Sequence, residues 1–236
     1  LELEPVRDEH ARVLRIRRRA IELGVLLRPL ANVVYALPPA STTEDECARM
    51  IDAVVTAWGP VGVLVHNASA PDRSSFLEAT LDQFDLMFGA NVRGPYLMSQ
   101  LVTRHMIAAG IAGGIIHIST ILARQTIPSR TLYASSKGAL NTLTLTLARW
   151  MSPAVRVNTV CPGFIQTRWL LGGMGEENYN KMKMGQEQNT PLRQAGTPEQ
   201  MAEAVMFFLT SASNITGEFL IVDAGMHLAS LPMKAR

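Results

Sequence analysis

From residue 61 onward the chain alternates short apolar runs with longer stretches of helical periodicity. That alternation restricts the fold more than any single motif does. Residues 61–65, 115–118, 155–160 and 218–222 are runs of four to six residues rich in Val and Ile, the pattern of buried strands. The stretches between them carry helix signals. Thr80 is followed three residues on by Gln83, a capping box, and the helix it opens runs through Phe84, Met87 and Phe88. That helix meets Asn91, Gly94 and Pro95 and resumes to about Ala109. Residues 133–150 place Leu140, Leu143 and Leu147 on one face. Thr197, with Pro198 at the first helical position, opens a helix to Leu209. Strict alternation predicts parallel strands joined by right-handed helical crossovers. Ligands of such sheets bind beyond the carboxyl ends of the strands. Asn67, Ser119, Thr120 and Gly163 all fall there.

The pattern ahead of residue 61 is different. Residues 6–23 read as a helix with Val13, Ile16, Ala20 and Leu23 opposite an arginine cluster, and Gly24 stops it. Two short extended pieces follow, residues 25–27 and 33–37, bent at residues 29–32 and closed by Pro38-Pro39. Ser41 and Glu44 form a capping box for a helix that points Met50, Ile51, Val54 and Val55 inward and ends at Gly59-Pro60. The expected division is an atypical N-terminal segment, residues 1–40, and an α/β domain, residues 41–236.

A chain of 236 residues is long enough for one large α/β core. A net charge of +2 gives no general attraction to polyanions. The cluster of Arg12, Arg15, Arg17, Arg18 and Arg19 has no aromatic platform beside it, so it reads as a solvated helix face and no nucleic-acid partner is expected. Cys47 and Cys161 follow no disulfide or metal spacing and read as buried thiols in a reducing compartment. His10, His66, His105, His117 and His227 show no ligand spacing, so no metal site is expected. No apolar run reaches the length of a membrane span and the first residues lack a signal-peptide pattern, which points to a cytoplasmic protein.

The chemistry is concentrated in residues 119–137. Hydroxyls at Ser119 and Thr120 end an apolar strand, and Tyr133 and Lys137 stand four apart at the opening of a helix, on one face. An ammonium beside a phenol favours the phenolate and draws its pKa from about 10 towards neutrality. Such a phenol exchanges a proton with an alcohol or carbonyl oxygen.

These motifs, in this order, resemble the short-chain dehydrogenase/reductase family over roughly residues 44–228, with the 3-oxoacyl-carrier-protein-reductase-like branch nearest. Asn67-Ala68-Ser69 matches the family's N-A-G turn. Asn91 matches its helix asparagine, Tyr133 to Lys137 its Y-x-x-x-K, and Pro162-Gly163-Phe164-Ile165-Gln166-Thr167 its P-G-x-x-x-T turn. The resemblance implies a single-domain, Rossmann-like, doubly wound parallel sheet. It also implies NAD or NADP as cofactor and a small secondary alcohol or ketone as substrate. Tyr133 would be the general acid/base. Lys137 would tune it and hold the nicotinamide ribose, and Asn91 would hold a water linking Lys137 to solvent. Thr120 stands thirteen residues before Tyr133, where the family has its substrate-orienting serine. Thr keeps the hydroxyl donor but adds a methyl that restricts χ1, so reduced or altered activity is expected. Ser119 suits the role less, because adjacent strand residues face opposite ways. Asn67, Ala68, Ser69, Pro162, Gly163, Ile165 and Thr167, with Tyr133 and Lys137, would line the cofactor. Residues 168–194 read as a substrate lid, and the apolar helices over residues 84–106 and 140–150 imply a homo-oligomer.

The front departs from that family. Residues 1–60 contain no T-G-x-x-x-G-I-G loop, whose glycines let the backbone approach a pyrophosphate at a helix N-terminus. Leu37-Pro38-Pro39 stands where the family places an Asp-Val pair. Residues 10–58 instead resemble the carboxyl-terminal segment of class III pyridoxal-phosphate aminotransferases of the 7,8-diaminopelargonate type. In that family the arginine matched by Arg28 helps hold a substrate carboxylate. The cofactor lysine of that family lies in a domain with no counterpart here, so transaminase chemistry is not implied. A gene fusion near residues 38–59 is the expectation. The alternative function is a catalytically impaired dehydrogenase-like scaffold that dimerises without binding a dinucleotide.

Overall fold

The structure, a computed structural model, describes residues 27–30, 33–36, 43–70, 75–125 and 130–228. The helix expected over residues 6–23 and the cap expected at Ser41 lie outside these. Strands β1 (Leu27–Leu30) and β2 (Val33–Ala36) pair antiparallel, with Leu27 opposite Ala36 and Pro29 opposite Val34. Pro29 therefore lies in a strand, not in the bend expected there. A two-stranded hairpin leaves each strand a free edge, where a missing N–H breaks no ladder.

The main sheet is separate. It consists of β3 (Val63–His66), β4 (Gly113–Ile118), β5 (Val155–Pro162) and β6 (Phe219–Val222), all parallel and in chain order across the sheet. The hairpin does not extend it. Among the described residues β3 pairs with β4 alone, and Val63 and Val65 remain 48% and 40% exposed.

Seven α-helices are described: α1 (Glu44–Trp58), α2 (Leu81–Phe88), α3 (Gly94–Ala108), α4 (Thr131–Met151), α5 (Arg168–Met174), α6 (Glu176–Asn189) and α7 (Pro198–Met206). The segment Ser41 to Glu46 contains two overlapping capping boxes, and the structure uses the second. Thr43 Oγ1 accepts from Glu46 N–H at 3.3 Å, and the Glu46 carboxylate accepts from Thr43 N–H at 2.7 Å. The box expected at Thr80/Gln83 is formed, and the helix expected to open at Thr197 does so, with a capping box closed by Gln200. Residues 168–194, the expected lid, are mostly the two helices α5 and α6, neither with a buried side chain.

Period-two alternation along the strands fills both faces. Ile115 and Val157 pack against Ile51 of α1, Val102 and Met106 of α3, and Ala148 and Met151 of α4. Ile116 and Val160 face the opposite way, onto Ala204 of α7 and Phe208. Each fully buried aliphatic in these layers contributes about 1.5–3 kcal/mol, so the sheet is held by helices on both sides. Between α2 and α3 a π-turn, Gly89–Arg93, turns Asn91 into the interior. No helix of the described residues is long and apolar enough to cross a membrane.

Candidate active site

The carboxyl ends of β3, β4 and β5 bring the motifs together. Asn67 and Ala68 follow β3 and are exposed, while Ser69 and Ala70 turn inward. Asn91 is fully buried and joins that turn to the start of α4. Its Oδ1 accepts from Ala70 N–H at 3.3 Å and from Ser69 Oγ at 3.0 Å. Its Nδ2 donates to Ser136 Oγ at 3.0 Å and meets the Met87 sulfur at 3.0 Å. Ser136 passes its own proton to the Tyr133 carbonyl at 2.8 Å. Sequence reasoning missed Ser136. Its only signal was the second serine of Tyr133-Ala134-Ser135-Ser136-Lys137, one helical position before the lysine.

The hydroxyls of Ser69 and Thr120 lie on the side of the Tyr133 phenol, close enough to act on its ionisation. Removal from water pushes its pKa up, and those two hydroxyls, with the charge of Arg130, work in the other direction. The expected lowering by Lys137 is thus corrected: desolvation dominates. The Lys137 ammonium lies 5.8 Å from the centre of the Tyr133 ring and donates to the Ile118 carbonyl at 2.8 Å. Burial lowers its own pKa to about 8, against a smaller opposing effect of Cys161.

Thr120 Oγ1 accepts from Leu122 N–H at 3.2 Å, which starts the short 3-10 turn Ile121–Ala123 and leaves the Thr120 proton free to donate. Ser119 turns away, its Oγ donating to the Lys137 carbonyl at 3.5 Å. Of the two neighbours, Thr120 rather than Ser119 acts on the phenol.

Two imidazoles, expected only not to form a metal site, lie on the strands that carry these motifs. His66 and His117 sit in register on β3 and β4 with ring centres 5.0 Å apart. His66 Nε2 meets Ser99 Oγ at 3.0 Å, and His117 Nδ1 meets Thr144 Oγ1 at 2.8 Å. Burial first, then neighbouring positive charge, keeps both neutral, with His117 lowered to about 3. No cluster of three possible metal ligands occurs among the described residues. Cys47 and Cys161 are free and buried.

At the end of β5, a Cβ on Gly163 would come 2.7 Å from the Asp223 Cβ, so glycine lets the turn approach the end of β6. Ile165 bridges to Gly196, and Thr167 caps α5 by accepting from Leu170 N–H at 3.3 Å. The donor set suits one half of a nicotinamide cofactor. Lys137 has three N–H donors and gives one to Ile118, which leaves capacity for ribose hydroxyls. At the other half, no glycine-rich phosphate loop stands among the described residues, and the hairpin β1–β2 is not part of the sheet.

A parallel α/β sheet with a hydroxyl, a phenol and a buried lysine at its carboxyl edge is a Rossmann-like arrangement. The chain matches the family profile described as enoyl-(acyl carrier protein) reductase over residues 28–227, and it belongs to the short-chain dehydrogenase/reductase family. It is 31% identical over 223 residues to L-xylulose reductase of Mesocricetus auratus, covering 90% of this chain and 89% of that protein. It is 34% identical over 176 residues to carbonyl reductase (NADPH) 2 of Sus scrofa, covering 73% and 70%. Among solved structures, acetoin dehydrogenase from Enterobacter cloacae superimposes with a TM-score of 0.71 at 30% identity, over 83% of this chain and 75% of that one. The family match begins at residue 28, upstream of the expected residue 44 and inside the stretch that resembled an aminotransferase. The aminotransferase likeness has no counterpart in these matches.

Proposed function

We propose that this protein is an NAD(P)-dependent oxidoreductase that interconverts a secondary alcohol and a ketone, with residues 41–236 as its dehydrogenase unit. The observation that carries the reading is the buried Lys137 ammonium, 5.8 Å from the centre of the Tyr133 ring at the carboxyl end of β4. When bound, a nicotinamide cofactor supplies or takes up the hydride. Tyr133 gives its proton to the carbonyl oxygen, or removes it from the alcohol. Thr120 donates a hydrogen bond to the same oxygen and orients it. Lys137 holds the nicotinamide ribose, and Asn91 fixes the turn that carries Ser69. Asn67, Ala68, Pro162, Gly163, Ile165 and Thr167 form the wall on the cofactor side. The helices α2 to α4 leave Phe84, Tyr96, Leu145 and Trp150 exposed, a surface suited to a second copy of the chain.

Titration of the purified chain with NADH and NADPH, followed by fluorescence and melting temperature, tests this reading. Saturable binding to one or both is expected, and Tyr133→Phe should keep that binding and lose turnover. Retained turnover in Tyr133→Phe would refute the proton role.

One observation favours a second reading, a scaffold without dinucleotide binding: the hairpin β1–β2 stands apart from the sheet, and β3 pairs with β4 alone among the described residues. On that reading residues 10–58 are an aminotransferase-like segment joined to the dehydrogenase unit, and Arg28 carries no catalytic duty. No saturable signal at millimolar cofactor selects it.

A further inference from the structure

We propose that the carboxyl ends of β4 and β6 hold a second binding site, for a short hydroxy acid, built by Arg124 and His227. The proposal goes beyond the oxidoreductase reading and does not depend on it. A cavity of about 200 Å³ opens there, and its described lining is Ile121, Arg124, Gln125, Ile221 and His227. A cavity of about 150 Å³ is large enough for benzene, so a ligand of a few carbons fits. Parallel sheets take their ligands in the crevice beyond the carboxyl ends of the strands. None of the candidate site residues named above lines this cavity.

The imidazole is fixed by its neighbours. Asp223, buried after the end of β6, accepts from the main-chain N–H of Gly225 at 2.9 Å and of His227 at 2.8 Å. Both of its carboxylate oxygens lie 3.0 Å from His227 Nδ1. A carboxylate only accepts, so Nδ1 carries the ring proton, and in the neutral imidazole Nε2 keeps a lone pair. Gln125 Nε2 donates to the His227 carbonyl at 2.9 Å, which ties the turn after β4 to the turn after β6 across β5. The ring is therefore held on both sides, and its Nε2 has no hydrogen-bond partner among the described residues.

Arg124 supplies the charge. It follows the 3-10 turn Ile121–Ala123, and its guanidinium forms no ion pair among the described residues. A planar guanidinium takes a carboxylate through two parallel N–H donors. The main-chain N–H groups of Arg124, Gln125 and His227 are all spent within the protein, so no row of amides is left to cradle a phosphate. The lone pair at His227 Nε2 repels a second anionic oxygen and accepts from a hydroxyl. Ile121 and Ile221 offer apolar walls to the carbons between. A carboxylate at Arg124, a hydroxyl at His227 and a short hydrocarbon link define a hydroxy acid.

The test is ligand binding to the full chain with its histidines labelled with carbon-13, at constant ionic strength. It is run at about pH 8.5, above the range in which histidines usually titrate. The probes are lactate, propionate (which lacks the hydroxyl), lactamide (which lacks the charge) and inorganic phosphate. The His227 ring signal is the one lost in His227→Gln. Should that variant fail to give native circular dichroism, sequential backbone assignment identifies the signal instead. Lactate is expected to move it saturably at millimolar concentration, and the other three probes to bind about tenfold more weakly. Arg124→Gln, at an exposed position, should weaken lactate binding about tenfold and leave lactamide unchanged. No saturable movement with lactate, equal binding of any other probe, or parental lactate binding in Arg124→Gln overturns the proposal. The oxidoreductase reading stands or falls separately, on the titration with NADH and NADPH.

Discussion

The ammonium of Lys137 is tied to the carbonyl of Ile118, 2.8 Å away at the end of β4, with almost none of the lysine exposed. One hydrogen bond does not replace the water a charge loses. Burial accordingly lowers the lysine to about 8 from its ordinary 10.5. The unfolded chain keeps its proton up to the ordinary value and the native chain only to about 8. The lysine therefore opposes folding fully below pH 8, and stability rises as pH climbs from 8 to 10.5. Lys137→Met should raise stability at pH 7 by up to about 3 kcal/mol and abolish turnover. Urea unfolding at several pH values checks this: the advantage of the variant should shrink through that alkaline window. A variant less stable than the parent at pH 7 would refute the argument.

The Thr120 hydroxyl accepts from Leu122 N–H at 3.2 Å and acts on the Tyr133 phenol. Thr120→Val keeps the shape and removes the hydroxyl. Turnover should fall by about 10²-fold or more, the usual cost of losing a donor to a developing oxyanion. Stability should drop by about 1 kcal/mol for the unpaired N–H. Thr120→Ser removes only the methyl that restricts χ1 and should match or exceed the parent. Steady-state kinetics on the two variants decide it. Equal turnover in Thr120→Val would remove Thr120 from the site.

The imidazoles of β3 and β4 set the response to acid. His117 is fully buried, its Nε2 has no hydrogen-bond partner among the described residues, and its pKa falls to about 3. The unfolded chain takes up that proton near pH 6.5 and the native chain does not until about 3, so stability falls as pH drops through this window. Each unit costs about 1.4 kcal/mol per histidine. His117→Asn can keep a bond to Thr144 and does not titrate. It should remove about 2 kcal/mol of the stability lost between pH 7 and pH 5. The same loss in variant and parent would show that His117 is not the titrating group.

Much of this was legible in the residues, and the exceptions have physical causes. Parallel alternation, the caps at Thr80 and Thr197, and the convergence of Thr120, Tyr133 and Lys137 follow from local patterns that survive packing. The cap at Thr43 did not, because Ser41-Thr42-Thr43-Glu44-Asp45-Glu46 contains two equivalent boxes and only the docking of α1 chooses between them. Spacing predicted that Tyr133 and Lys137 share a face, but not that desolvation outweighs the ammonium, since burial is a property of the whole fold. The hairpin β1–β2 was read as two extended pieces. Its separation from the sheet depends on edge pairing between distant segments, and no local pattern reports that. Ser69 was assigned to the cofactor turn because a motif match records position and not the direction of a hydroxyl.

Arg156 holds the far end of the molecule by hydrogen bonds to main-chain carbonyls. Its Nη1 donates to the carbonyls of Phe208 and Ala212, each at 2.8 Å, and of Ile215 at 3.4 Å. The first two belong to the π-turn Phe207–Ser211 that ends α7 and to the residue after it, where the last carbonyls of a helix have no partner within the helix. Asn158, two residues along β5, donates to Ile215 at 3.1 Å and accepts from Glu218 N–H at 2.9 Å, extending the same tie to the start of β6. Arg156→Met keeps the aliphatic stem and removes the donors, so it separates hydrogen bonding from packing. It should cost about 2–3 kcal/mol, because part-buried carbonyls are left unpaired. Arg156→Lys should recover part of that loss, since an ammonium still donates but does not reach as far as Nη1. Urea unfolding of the three proteins gives the ordering. An Arg156→Met variant as stable as the parent would mean that water satisfies those carbonyls and that the turn after α7 is held by the packing of Phe208 alone.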